Sequence, residues 1–504
     1  MVADKVESDD RVPVLIALGE ISDRNPDPEA AFDSLGLMME ALKAAERDAG
    51  TPILDRLDWL GVEDQISFPD PALHETLAER LPALPPIRVK TFEASGDGPI
   101  QLIADAANLI GEGRIRLGAA VGAEALRTAA KRAQAAAAAG NPPPPSAIAA
   151  SAAAGATPMA RKHKLFTPTD VYPLYENATR AAWGQTLAEG QAESATIWSN
   201  SSKVAAANPS AWLRTPVEPA AIAEPTADNR LISFPYTKLM VANASVNQGC
   251  AVIIASLSMA RELGVPEERI VYVGASAAAH EPDDFLMRDS FARATSLETT
   301  LTTALDRNGL GKEDLAHVEL YSCFPVVPKM ARRVLGWPAE KPTTVYGGLT
   351  FGGGPIGNCM MHAVARMIVN LRGTDGHGLI VANGGYATHS HSIVLTRRPV
   401  PAGTFPLDYD VQAEAEAKRE PVPALLDDYE GEGVIETYSI PFDRHGKAAR
   451  ATIVARNPAG ERFLATVPAE DEAAIAFLTS GAAEPVGTAG RATRDASGGV
   501  RWTM

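Results

Sequence analysis

A chain of 504 residues is too long to close around a single core, and its length points to about three domains. Hydrophobic residues at 46% and charged residues at 21% describe an ordinary globular protein, and no segment has the roughly 20 apolar residues that a membrane span needs. A formal net charge of -16 argues against nucleic acid as the main partner, so an anionic ligand would have to meet a local positive patch.

Three cysteines exclude a disulfide framework and suit a reducing compartment. The start, "MVADKVESDD", is acidic and lacks an apolar run, so it does not read as a signal peptide, and a cytoplasmic protein is expected. "VPVLIALGE" (Val12 to Glu20) is short, apolar and rich in branched residues, the pattern of a buried strand. The next segment places Phe32, Leu35, Met38, Met39 and Leu42 at helical spacing and stops at Gly50. A second helical pattern, Pro99 to Ile110, leads into the buried strand of "IRLGAAVGAEAL".

The Ala- and Pro-rich stretch "AAKRAQAAAAAGNPPPPSAIAASAAAGATP" has the composition of an exposed excursion. From there to about Arg230 no clean period holds, but Trp183, Trp198 and Trp212 mark an insertion packed over an α/β core. Strand and helix patterns then alternate through "RIVYVGAS", "LAHVELYS", a glycine-rich loop with its helix, and "GLIVANGG", which argues for an α/β fold. After "TRRPVPAGTFPLDYD", short strands around Ile435–Tyr438, Ile453–Ala455 and Phe463–Thr466, with turns at Gly446 and Gly460, predict a small barrel-like β domain.

The glycine-rich loop, "YGGLTFGGGPIGN" from Tyr346, is followed by neither the Lys nor the hydroxyl residue of a phosphate-binding P-loop. Taken in order with "PVLIALGE", "PYTKLMVANASVNQGCAVIIAS", "HVELYSCFPVVPKMARRVLGW" and "ANGGYATHSH", it resembles the thiolase superfamily, specifically the thiolase-like protein type 1 branch related to sterol-carrier-type thiolases. The resemblance covers most of the chain. It implies two similar βαβαβαββ halves, residues 1–255 and 256–400, with a loop domain inserted at about 125–230. A linker, 401–430, would lead to an additional β domain, 431–504. It also implies a coenzyme A ester as ligand, an acetyl-CoA-acetyltransferase-like name and a place in lipid metabolism, with no permanently bound cofactor and no metal.

A thiolase works through a nucleophilic Cys, a second Cys that moves the α-proton, and a His that helps polarise the thioester oxygen. The resemblance carries the nucleophile position to Ser95 or Gly96 in "EASGDGPIQL", neither of which is Cys. Gly354, followed by Pro355, stands where the Gly-His-Pro loop has its His, and the second Cys falls near Ala382 or Asn383. Tyr321 replaces the polar His of the "HDCF" motif. Ordinary thiolysis is therefore expected to be weak or absent. The backbone at Gly96, Gly354 and Gly384 can still approach a ligand, and amides at these turns can form an oxyanion hole.

Cys250, Cys323 and Cys359 read as small buried hydrophobes, and Ser95 has no base identified by its sequence neighbours. Tyr321, Tyr346 and Tyr386 fall at or beside the pocket loops, where they can act as acids or simply fill space. His389 and His391 share a strand face, but two ligands fall short of a zinc site; His389 is the preferred acid–base candidate, with a surface histidine as the alternative, and Asn383, near the second-Cys position, is a further catalytic candidate. His362 is expected to pack on its helix. The basic cluster Arg161, Lys162 and Lys164 is the candidate patch for coenzyme A phosphates, with a solvated loop as the alternative. Three functions stay open: a CoA-ester-binding thiolase-like protein, a carbon–carbon lyase acting on a β-hydroxyacyl-CoA, and a non-catalytic binding protein. Relatives with aldol chemistry can depend on a separate OB-fold protein, so the fused barrel is expected at the ligand entrance or over surface used for dimerisation, leaving monomer and dimer both open.

Overall fold

The computed structural model describes residues 9–141, 147, 148, 150, 156–496 and 498–504. The first half of the chain supplies β1 (Pro13–Ser22), β2 (Trp59–Val62), β3 (Ile87–Lys90) and β4 (Leu117–Glu124). Two short strands, β5 (Leu231–Phe234) and β6 (Tyr236–Thr237), lie in the insertion, and β7 (Gln248–Ser256) returns to the core. The second half contributes β8 (Val271–His280), β9 (Leu315–Leu320), β10 (His377–Gly384) and β11 (His389–Thr396).

All of these except β5 and β6 form one nine-stranded sheet in the order β3-β2-β4-β7-β1-β8-β11-β10-β9. In each half a parallel group (β3, β2 and β4; β9 and β10) is followed by an antiparallel return strand, β7 or β11. The halves meet where β1 pairs with β8 through Val14 with Tyr272 and Leu15 with Val271. The sheet is buried on both faces, which explains why its strands read as continuous apolar runs. Helix Ser34–Ala49 covers one face; Asp33 caps its start by accepting from the Gly36 amide, and Gly50 ends it at φ 74°.

The insertion runs beyond the expected 230, because β5 and β6 belong to it and the chain rejoins the sheet only at Gln248. Much of the Ala- and Pro-rich stretch lies outside the described residues. Helices Pro168–Ala182 and Leu187–Ala207 form the body of the insertion, each started by a Thr capping box. Trp198 is buried and donates to Thr350 Oγ1 at 2.9 Å, Trp212 lies beneath Arg24, and Arg333 stacks on Trp183. The insertion is thus pinned over both halves by its aromatics.

The presumed linker is a packed strap. Phe405 is buried against Gly111, Leu407 and Asn108 exchange two hydrogen bonds, and Val411 and Ala415 pack on Ala277, Ala279 and Ala304. Beyond it come β12 (Leu425–Leu426), β13 (Gly431–Pro441), β14 (Arg450–Arg456), β15 (Arg462–Pro468), β16 (Ala489–Arg494) and β17 (Val500–Thr503). β13, β14, β15, β17 and β16 close into a five-stranded barrel. Gly446 and Gly460 turn at φ 76° and 81°, where a Cβ would be strained.

The barrel is docked. β5 pairs with the end of β13 (Phe234 with Ile440), Asn177 donates to the Tyr438 carbonyl at 2.9 Å, and Arg180 pairs with Glu484. The fully buried Arg462 donates to the carbonyls of Leu286 and Arg288 in the second half. Among the described residues no helix is long and apolar enough to cross a membrane.

Candidate functional site

Loops at the carboxyl ends of parallel strands are where α/β sheets place ligands. Three such loops converge here: the turn 92–98 after β3, residues 321–324 after β9, and residues 383–388 after β10. The first turn enters helix Gly98–Gly111. Its contact with the other two is extremely close. A Cβ on Gly96 would stand 2.3 Å from the Asn383 carbonyl oxygen and 2.6 Å from Tyr321 Oη. One on Gly384 would stand 2.1 Å from Asp97 Oδ1 and 2.2 Å from Ser95 Oγ. Ser95, Gly96, Asn383, Gly384 and Tyr321 are therefore brought together, and the phenol of Tyr321 fills the space beside Gly96.

Beneath the turn lies Glu63, the first residue after β2. Its Oε1 accepts from the Ser95 amide at 2.9 Å, while Oε2 has no partner. Burial holds its carboxyl well above the usual range. Gly98 and Gly357 make room for it, since a Cβ on either would come within 2.2 Å of a Glu63 oxygen. Ser95 donates its hydroxyl to Asp97.

The glycine-rich loop is held from outside by the insertion. Asn208 donates to the Tyr346 carbonyl at 3.0 Å, and the amides of Trp212 and Leu213 donate to Gly352 and Phe351 at 2.9 and 2.7 Å. A one-turn π-helix spans Gly348–Gly352, a local widening often found at functional sites. Gly354 donates to the Asn243 carbonyl at 2.9 Å, and Pro355 is followed by Ile356 at φ 41°. A β-branched residue at that angle is strained, and such strain clusters at ligand sites.

Tyr346 is buried with its hydroxyl unpartnered, and burial raises its phenol beside Cys359 and Glu319. Burial likewise raises Tyr321, next to Cys359 and Cys323. All three cysteines are buried and free. Burial pushes the Cys323 thiol up to about 12 and raises those of Cys250 and Cys359 as well, which leaves no thiolate at neutral pH.

Tyr386 points away from this knot. Its hydroxyl donates to the Phe166 carbonyl, and its own carbonyl accepts from Tyr175 at 2.7 Å. Tyr172, which sequence reasoning did not single out, locks the same loop: its hydroxyl accepts from Asn383 Nδ2 at 3.1 Å and from the Ala387 amide at 3.2 Å. His389 is half-buried at the rim, 3.9 Å from the exposed Asp283. His391 is the buried member of the pair, its ring 5.0 Å from that of Tyr409 and tilted 34° to it, with Nε2 unpartnered. His362 is buried and paired with Glu20 at 2.8 Å.

The basic cluster lies in the insertion, where it meets the barrel. Lys162 is already held by Asp427 and Asp428 at 2.9 and 3.0 Å. Arg161 donates to the Ala156 carbonyl and is otherwise exposed, and Lys164 turns the chain at φ 55°, its carbonyl accepting from Arg450. Among the described residues no three of His, Cys, Asp and Glu come together as a metal-binding group.

Residues 410–497 match the family model of the thiolase-like protein type 1 additional C-terminal domain. Among solved structures, the chain is similar to a monomeric SCP2-thiolase-like protein type 1 from Mycobacterium smegmatis, with 28% identity, a TM-score of 0.82, and coverage of 98% of this chain and 99% of that one. It shares its fold with an Ltp2-ChsH2(DUF35) aldolase at 18% identity and TM-score 0.58, covering 77% of this chain and 99% of that one. Human mitochondrial 3-ketoacyl-CoA thiolase in complex with CoA matches at 14% identity and TM-score 0.56, covering 77% of this chain and 98% of that one. No curated protein sequence matches the chain.

Proposed function

The chain belongs to the thiolase-like protein type 1 branch of the thiolase superfamily, and on that premise we propose that it binds a coenzyme A thioester at the Ser95, Gly354 and Gly384 loops without being acylated on cysteine. The packing at Gly96 carries this proposal. The nucleophile position is held by a turn with no thiol, and the Tyr321 hydroxyl stands 2.6 Å from the point where a side chain would begin. What remains are backbone amides at glycine turns, which can polarise a thioester carbonyl without a covalent step. Arg161 and Lys164 are the cations left to meet the phosphates, since Lys162 is engaged by two carboxylates.

A second function is favoured by the half-buried carboxylate of Asp97, which accepts from the Ser95 hydroxyl within the turn that corresponds to the thiolase nucleophile loop. Cleavage of a β-hydroxyacyl-CoA by retro-aldol chemistry needs a polarised carbonyl and a proton acceptor, but no nucleophile. One structural neighbour is named an aldolase, and its likeness to this chain is one of fold.

Calorimetry with a series of acyl-CoAs is expected to show saturable binding to the full chain. Arg161→Ala with Lys164→Ala should weaken it roughly three- to tenfold, the scale of two exposed ion pairs. Thiolysis of acetoacetyl-CoA should be absent from the same preparation. Failure to bind any ester would remove the proposed function, and rapid thiolysis would overturn the non-covalent account.

A further inference from the structure

We propose that Asp97, hydrogen-bonded by Ser95 and backed by His391, is the group that takes a proton from a β-hydroxyacyl thioester bound at these loops; this rests on the CoA-ester function above. Ser95 and Asp97 are half-buried, so one side of the pair remains open, while the opposite side is pressed against Gly384. The Ser95 hydroxyl donates to Oδ1 of Asp97, which fixes the carboxylate and spends the serine's only proton on it. Ser95 is thereby a positioning residue.

The second support comes from the sheet. His391 pairs with Ala382 and His389 with Gly384, so His391 stands one alternate position further down the strand from the Gly384 contact with Asp97. Tyr409 confirms which way the imidazole faces. Its ring lies 5.0 Å from that of His391, and its hydroxyl donates to Asp105 at 2.6 Å on helix Gly98–Gly111. Asp97 is the N-cap residue of that helix. His391 thus lies against Tyr409 and feels the charge of Asp97, and its Nε2 lacks a partner. Burial pulls the imidazole down to about 4 while Asp97 draws it upward. At neutral pH it is a neutral dipole and not a cation.

The step balances without a further reactant. Asp97 accepts the proton of the β-hydroxyl as that oxygen forms a carbonyl. The Cα–Cβ bond breaks, its electron pair moves onto the thioester as an enolate, and the proton returns to Cα. The products are an aldehyde or ketone and a shortened acyl-CoA.

The test uses the full chain and a set of β-hydroxyacyl-CoAs, with binding by calorimetry and cleavage by chromatography measured in parallel. Asp97→Asn is nearly isosteric and should keep ester affinity within about threefold while cleavage falls at least 100-fold, the scale of removing a general base. Ser95→Ala should lower kcat about tenfold with KM little changed. A titration of His391 followed by NMR supplies a readout apart from activity: Asp97→Asn should lower its proton affinity further. Wild-type binding without cleavage of any member of the set would overturn the inference and leave the binding function standing. So would cleavage by Asp97→Asn at the wild-type rate, or a His391 titration that the substitution does not move. Loss of binding by the wild type would instead remove the underlying function.

Discussion

At the residue scale the site is built by burial of groups that usually stay in water. Glu319, the penultimate residue of β9, accepts from Thr344 Oγ1 and the Val345 amide at 2.8 Å each, and so positions Tyr346. Burial raises its carboxyl to about 8. The folded chain therefore keeps a proton that an unfolded chain releases near 4.5, and stability from this group is full below about 4.5 and lost as pH rises towards 8. Glu319→Gln keeps an acceptor for both donors and removes the titration. Its melting temperature relative to wild type should rise steadily between pH 5 and pH 8.5; a constant difference across that range would show that Glu319 does not titrate there. Glu124, raised by burial to about 7 against the hydrogen bonds of Ser67 and Ile66, contributes with the same sign.

At the scale of elements, most of the scaffold was legible. Continuous apolar runs became strands buried on both faces, and Gly50, Gly446 and Gly460 marked the turns they predicted. The end of the insertion was missed because β5 and β6 are too short to show a period, and β5 gains its partner, β13, from a segment some 200 positions later. The strap from Pro399 to Glu430 was missed for a similar reason: its anchors, Phe405, Tyr409 and Val411, have no local pattern and bind residues of three different elements. Loop motifs singled out Ser95, Gly96, Tyr321, Asn383 and Gly384, which the fold brings together, but Asp97, Glu63, Tyr172 and His391 acquire their surroundings only in three dimensions. Spacing alone could not separate a rim histidine from a buried one two residues away.

One buried ion pair ties these elements together. Lys329, on helix Val326–Leu335, donates to Glu176 Oε1 at 2.5 Å and to the Gly190 carbonyl at 2.9 Å, and Tyr236 donates to Glu176 Oε2 at 2.9 Å. Both charged side chains are at most 2% exposed. Replacing Lys329 by Met would leave a carboxylate uncompensated in the interior, a loss of about 3–5 kcal/mol. Lys329→Met with Glu176→Leu should recover most of that in urea unfolding. If the single variant were as stable as wild type, the pair would not be what holds the insertion on the second half.

At the scale of the molecule, the barrel is the feature that distinguishes this chain from its shorter fold relatives, which cover 77% of it. It is joined to the insertion by the Phe234–Ile440 pairing, the Asn177–Tyr438 hydrogen bond and the Arg180–Glu484 ion pair, and to the second half through Arg462. Covalent attachment raises the effective concentration of each of these contacts, yet their number and burial make the barrel part of the folded body. β14 also rests on the segment carrying the basic cluster, since Arg450 donates to the Lys164 carbonyl and Thr452 to that of His163. Ending the chain after Asp428 would strip Phe234 of its cover, leave the buried Arg180 without its carboxylate, and free the cluster from β14. The truncated chain should therefore melt lower, show protease cleavage within the insertion, and self-associate by light scattering, with acyl-CoA affinity reduced. A tethered accessory domain would behave differently: its removal would subtract only its own mass, leaving the melting temperature and ester affinity of the remainder unchanged. That result would count against both the docked arrangement and any part for the barrel at the ligand entrance.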